Sequence, residues 1–314
     1  MSIKGSAKKN TIEYVLPVFA IFTALTTVIR MYQAFTIIEP ETGFYSESNA
    51  TVTALYGLLF LASAVIFVLC YVSRKVPAAR LPKGRNIPVG IFSLLASLTV
   101  FYDAAKQITD FFDSYINSKS LMIFGQPSQS LFSVLMKNGA IPKCLEGIFA
   151  IFSAIYFLVF AVKYFGSSFD LRNMKALAVM PVFWATARMI QRFTRTISFI
   201  FVSDLLLELF MIAFLMLFLL YFAQLASHIN SQYVMNKVFA YGLISSMFAF
   251  TISIPKIIVA IVRPEFSVVT NPVEFCDVSI AVFIVMICFS LLKMPRSKNL
   301  TLREVEKMQK ESKE

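Results

Sequence analysis

Long apolar runs separated by short polar connections organise this chain, and they recur too evenly to belong to a soluble core. A membrane-crossing helix needs about 20 consecutive, mostly apolar residues. Eight runs have that length: 14–38, 52–72, 88–112, 145–164, 176–201, 205–227, 238–262 and 274–292. Only residues 202–204 separate the fifth run from the sixth, which predicts a tight helical hairpin there. The longest connection, 115–143, contains an apolar stretch at 131–136, which predicts a short helix lying at the membrane interface. The first run is longer than the roughly 7–15-residue apolar stretch of a secretory signal and has no small-residue cleavage site after it, so it reads as a retained span. The expected fold class is therefore all-α, a polytopic helical bundle. A basic N-terminus (1–13) precedes the transmembrane region (14–293), and a charged tail (294–314) follows it.

A weak internal similarity divides the transmembrane region into possible halves, 14–164 and 176–293. Val15-Leu16-Pro17-Val18-Phe19 opens the first run and Val179-Met180-Pro181-Val182-Phe183 lies early in the fifth. Gly90-Ile91-Phe92-Ser93 in the third run has a counterpart in Gly242-Leu243-Ile244-Ser245 of the seventh. Four runs separate each pair, so the halves would share an orientation, as parallel repeats do in some transporters. Chance matches of Pro, Phe and Val in apolar helices explain the same pattern.

Composition agrees with a lipid solvent. Of the 314 residues, 58% are hydrophobic and 15% charged, against about 45–50% and about 25% in a soluble domain. The net charge of +11 suggests a polyanionic partner until its location is considered. Lys4, Lys8 and Lys9 precede the first run, Arg74, Lys75, Arg80, Lys83 and Arg85 follow the second, Arg172 and Lys175 follow the fourth, and Lys293, Arg296, Lys298 and Arg303 follow the eighth. With eight spans these positions all share one side. The connection after the first run carries Glu39, Glu41 and Glu47 instead. The positive-inside rule accounts for this bias without nucleic acid. It predicts a multi-pass protein of the cell membrane with both termini cytoplasmic and lipid as its surroundings.

Candidate chemistry lies in the charges within the runs, because ionisable residues there are costly and face the bundle interior. The fifth run carries Arg188, Arg192 and Arg195, which fall on one helical face within roughly 60°. The third carries Asp103, Lys106, Asp110 and Asp113, within roughly 80°. Arg30 lies in the first run, Asp204 and Glu208 at the start of the sixth, and Lys256 in the seventh. Counted at 1.5 Å per residue from the inner ends, Arg30, Asp103 and Lys256 lie about 22–27 Å along their helices. The charges thus belong to the outer half, and the inner half is apolar. This predicts an outward-facing polar vestibule above an apolar plug, with ion pairs between the arginine face and Asp103, Asp110 or Glu208. Guanidinium groups left over would take a carboxylate or phosphate by paired hydrogen bonds.

The expected function is binding or transport of a small anionic or zwitterionic solute, or a lipid headgroup. Arg30, Arg188, Arg192 and Arg195 would meet the anion, Asp103, Asp110 and Glu208 would hold them or take a cationic group, and Lys106 and Lys256 would assist. The alternative is a non-transporting accessory protein whose intramembrane ion pairs only fix packing. A third possibility, an enzyme acting on lipid headgroups, has no supporting motif. The chain lacks a phosphate-binding P-loop, an HExxH pair and a GxSxG elbow. Its single histidine, His228, and four scattered cysteines define no metal centre, and no cofactor is expected. Cys144 and Cys276 fall at the same end of their helices, which leaves a disulfide between them open. Pro255 beside Lys256 raises a broken seventh helix against a simple kink. Trp184, one turn before Arg188, either stacks on its guanidinium or is an ordinary packing residue, which is the commoner case.

Overall fold

The computed structural model describes residues 11–39, 45, 50–73, 75–77, 81, 85–124, 131–137, 139–166, 174–194, 202–227, 234–262, 274–293 and 296–298. Nine α-helices dominate these residues. They are α1 (Val15–Thr36, entered by a 3-10 turn at Thr11–Tyr14), α2 (Ala50–Val72), α3 (Ile87–Phe124), α4 (Leu131–Lys137), α5 (Ala140–Phe165), α6 (Lys175–Thr194), α7 (Val202–Ala226), α8 (Val234–Val262) and α9 (Phe275–Leu292). A short antiparallel ribbon pairs β1 (Lys75–Pro77), after α2, with β2 (Arg296–Lys298), after α9.

Seven helices are long and apolar enough to cross a membrane, and α6 is the long helix that fails on composition. Its arginines cause the failure, but the topology still runs it from end to end of the bundle. The ribbon places the end of α2 and the end of α9 side by side. Six long helices lie between those points only if α6 is counted, and an even number is needed to return to the same end. Among the described residues the bundle therefore has eight long helices, and α6 is the one whose inward charges lower its apolar character most.

The outer surface of the bundle is apolar. Phe60, Ile21, Val28 and Phe193 are each more than 60% exposed, an arrangement suited to lipid and costly in water. Inside, small residues bring backbones close, as membrane helices require. A Cβ on Gly242 of α8 would lie 2.7 Å from Phe218 of α7 and 2.8 Å from Ile284 of α9. Ser245 and Ser246, next along α8, donate to the carbonyls of Met211 and Ala281, each at 3.3 Å. On α3, Ser93 and Ser97 donate to the carbonyls of Phe157 and Ala154 at 2.7 Å, and Gly147 lets Ile108 approach α5. Phe157, Phe160, Phe222 and Phe283 interlock edge to face where α5, α7 and α9 meet, all fully buried. This cluster fills the apolar half of the bundle. Helices of the two sequence halves interleave: α1 and α2 pack on α8, and α3 packs on α9 as well as α5.

Several elements differ from the sequence expectation. The third helix runs to Phe124, 38 residues or about 57 Å, well beyond a hydrocarbon layer of about 30 Å. Polar residues do not stop it: Ser114 and Ser118 satisfy their hydroxyls on the carbonyls of Asp110 and Ser114 within the helix itself. The expected three-residue connection at 202–204 is helical, because α7 begins at Val202 with Asp204 in its first turn; residues 195–201 lie outside the described residues. Pro255 does not break its helix, for α8 is continuous from Val234 to Val262. A short helix is present at the expected 131–136 stretch, as α4.

Candidate functional site

Three pairs of charged residues at helical spacing build the site. Arg188 and Arg192 are four apart on α6, Asp204 and Glu208 four apart on α7, and Glu274 and Asp277 three apart at the start of α9. Spacings of three or four put both members on one face. The C-terminal end of α6 and the N-terminal ends of α7 and α9 meet at the end of the bundle opposite the β-ribbon, so these faces converge.

The result is one connected network. Arg30 of α1 pairs with Asp204. Lys256 of α8 lies 3.6 Å from Asp204 and 2.9 Å from Glu208, joining the two acids of α7. Arg192 reaches Glu208 at 3.6 Å and also pairs with Glu274. Arg188 pairs with Glu274, places its Nη1 and Nη2 at 2.5 and 3.0 Å from the two oxygens of Asp277, and lies 3.9 Å from Glu146 of α5. The two-pronged contact with Asp277 is the strong, planar form of this interaction. Tyr45 donates none of this charge but accepts from Arg30 at 2.7 Å. Trp184 lies beneath Arg188, with the guanidinium carbon 5.6 Å from its ring centre.

Burial makes the charge balance matter. Arg188 and Glu146 are each 1% exposed, and Arg30, Arg192, Asp103, Glu208 and Asp277 are also buried. Four cations (Arg30, Arg188, Arg192 and Lys256) face six acids (Asp103, Glu146, Asp204, Glu208, Glu274 and Asp277), counting Asp103 because Arg188 and Glu146 both sense it. One oxygen each of Asp103 and Glu146 has no hydrogen-bond partner, and neither has the side-chain oxygen of the buried Gln107. Glu274 differs from the other acids. It stands just ahead of α9, its side chain is 17% exposed, and two guanidinium groups share it. Burial alone would raise its pKa, but Arg192 and Arg188 outweigh that and hold the carboxyl well below the usual carboxylate range.

The network gathers most of the residues the sequence marked. Arg30, Arg188, Arg192, Glu208 and Lys256 are within it, and Asp103 borders it. Lys106 and Asp110 are half-buried on α3, and neither is ion-paired to another described residue. Arg195 and His228 lie outside the described residues. Of the pairings expected for the arginine face, that of Arg192 with Glu208 is present, and Glu274 and Asp277 take the place expected for Asp110. Glu146, Glu274 and Asp277 are not among the candidate site residues of the sequence reading, although they fall near the ends of their apolar runs. Their signal was their level, since they stand at the same end as every intramembrane arginine.

Two further possibilities are decided by the surroundings. Ligand atoms of Glu274, Cys276 and Asp277 lie within 4.8 Å of one another. Arg188 and Arg192 already occupy both carboxylates, and their charge would repel a metal ion, so this trio does not fit one. The four cysteines are free, which removes the Cys144–Cys276 disulfide left open by the sequence. Cys276 is buried and its thiol points to Asp277 at 3.7 Å, while Cys144 is only half-buried.

Fold and site together define a multi-span helical membrane protein with a buried ion-pair network at one end of its bundle. No protein family, curated protein or solved structure matches the chain.

Proposed function

We propose that the protein binds a small solute bearing a carboxylate or phosphate at Arg188 and Arg192, and moves it across the membrane by exchanging the ion pairs of this network. The observation that carries this is Glu274. It is a partly exposed carboxylate, attached at the mouth of the network, that bridges both guanidinium groups. An incoming anion of the same chemistry would take its place and find the same forks. Swinging Glu274 away would also loosen α9 from α6, which couples occupancy to helix movement. Arg30 and Lys256 form a second cationic group one step along the network, and Asp103 would receive the ammonium of a zwitterion. Arg195, Lys106 and Asp110 would act at the approach rather than in the network. On the positive-inside pattern of the sequence, the charged end faces outward in a cell membrane, with both termini cytoplasmic.

The test is Glu274→Gln, which weakens the resident competitor while keeping its size. The purified protein is melted in detergent with acetate, inorganic phosphate or glutamate. The variant should be stabilised by at least one of these anions at lower concentration than the wild type. A folded variant whose melting ignores all three would refute the proposal.

A second reading also has an observation behind it. All four cations of the network are already paired, as a purely structural clamp in an accessory membrane protein would have them. That reading predicts that Glu274→Gln lowers stability and creates no anion response.

A further inference from the structure

The network contains more acid than its cations can neutralise, and the excess is concentrated at the contact between α3 and α5. Small residues create that contact. Ser97 of α3 bonds the backbone of Ala154, and Gly147 allows Ala104 and Ile108 to sit against α5. This brings Asp103 and Gln107 on α3 to the level of Glu146 on α5. All three are at least nine-tenths buried, and each presents an oxygen with no hydrogen-bond donor: Asp103 Oδ2, Gln107 Oε1 and Glu146 Oε2. The nearest cation, Arg188, spends its two terminal nitrogens on Glu274 and Asp277; its Nε, which has no hydrogen-bond partner, faces the other oxygen of Glu146 at 3.9 Å, too far for a hydrogen bond.

A buried carboxylate whose one cation stands at 3.9 Å and whose second oxygen has no donor is costly to keep ionised, and binding a proton relieves that cost. A protonated carboxyl also becomes a donor, which is what three acceptor oxygens in one place lack. We propose that Glu146, with Asp103 beside it, is an exchangeable proton-binding site, carrying a proton on Glu146 at neutral pH. The step is a simple protonation: an O–H bond forms at the free oxygen of Glu146 when a proton arrives from water and breaks when it leaves. The groups that face Glu146 are Asp103 from α3, Arg188 and Arg192 from α6 and Glu274 from the start of α9. Lys143 lies one turn earlier on α5 and is half-buried. The described side chains of α4, which also packs on α5, include no ionisable group. The charges near Glu146 thus include acids from two neighbouring elements, and the two arginines are shared with other acids.

The inference does not depend on the identity of any solute, or on there being one. It is tested on the full-length protein in lipid nanodiscs by infrared spectroscopy between about pH 5 and about pH 9, a range that brackets the shifts a buried carboxyl can show. The wild type should show the carbonyl stretch of a protonated carboxyl at neutral pH, lost as the pH rises. Glu146→Gln, which copies the neutral acid in shape, should lose that pH-dependent band completely. Asp103→Asn should keep the band and move its midpoint to lower pH, because one opposing charge is gone. A wild-type spectrum without a pH-dependent carboxyl band overturns the proposal, and that measurement needs no variant to fold. A band that persists unchanged in Glu146→Gln overturns it as well, as does a wild type stabilised by sodium with no such band, which would make the site a metal-cation site.

Discussion

Replacing Arg188 should cost far more than replacing any one of the acids around it, because the network is short of positive charge. Arg188 is 1% exposed and is the cation nearest to Glu146, Glu274 and Asp277 together. Arg188→Met keeps most of the side-chain volume and leaves these carboxylates facing one another. Removing one partner of a buried ion pair typically costs about 3–5 kcal/mol, or roughly 200- to 5,000-fold in the unfolding equilibrium. Asp277→Asn removes one acid of the set, keeps an oxygen for the guanidinium and leaves Arg188 its contacts with Glu274 and Glu146. Its cost should be the loss of one charge-assisted hydrogen bond, about 1.5–3 kcal/mol. The assay is equilibrium unfolding in mixed micelles, read by the fluorescence of Trp184. That residue is the only tryptophan, is fully buried and lies under the Arg188 guanidinium, so it reports this end of the bundle. An Asp277→Asn variant that is destabilised as much as Arg188→Met would refute the charge imbalance.

Other consequences follow from single sites. Glu274 has its folded-state pKa lowered by Arg192 and Arg188 against the opposing effect of burial, so its contribution to stability is complete above the ordinary glutamate pKa of about 4.3 and is lost as pH falls through the lower folded value. Wild type should therefore lose stability in acid more steeply than Glu274→Gln, and coincident stability–pH curves would disprove this. Gly242→Ala pushes a methyl group to 2.7 Å from Phe218 and 2.8 Å from Ile284, and overpacking of this kind costs about 1–3 kcal/mol. Gly57→Ala, whose added carbon meets nothing within 4 Å, should be neutral or stabilising by up to about 1 kcal/mol; thermal unfolding of the two variants side by side decides. A thiol reagent added to the folded protein should label Cys144 well before Cys70, Cys276 and Cys288, which are buried, and mass spectrometry of the labelled peptides would show a different order if the packing is otherwise.

Much of the fold was legible because lipid imposes it. A backbone in hydrocarbon must satisfy its own hydrogen bonds, so an apolar run of sufficient length has to become a helix. That is why the eight runs, α4 and the concentration of charge at one end could be read from the linear pattern. The same pattern located Arg30, Arg188, Arg192, Glu208 and Lys256 as interior charges; that Trp184 lies against the Arg188 guanidinium, and does not merely pack, came from the structure.

Helix ends and partners were not legible in this way. Nothing in Asp110 to Phe124 announces that α3 continues, since beyond the hydrocarbon layer the apolar run ends and lipid no longer dictates where a helix stops. Glu274 and Asp277 read as acids at a helix start, where the helix dipole alone favours them. Only packing reveals that Arg188 and Arg192 meet them, because 82 to 89 residues of chain separate the partners. The sequence by itself determined that this chain lives in a membrane, how many long helices it makes and which charges must turn inward, because each of those depends on local chemistry and helical periodicity. Tertiary structure alone decided which acid answers which base, and that two acids are left over at the α3–α5 contact, because pairing depends on where distant helices come together.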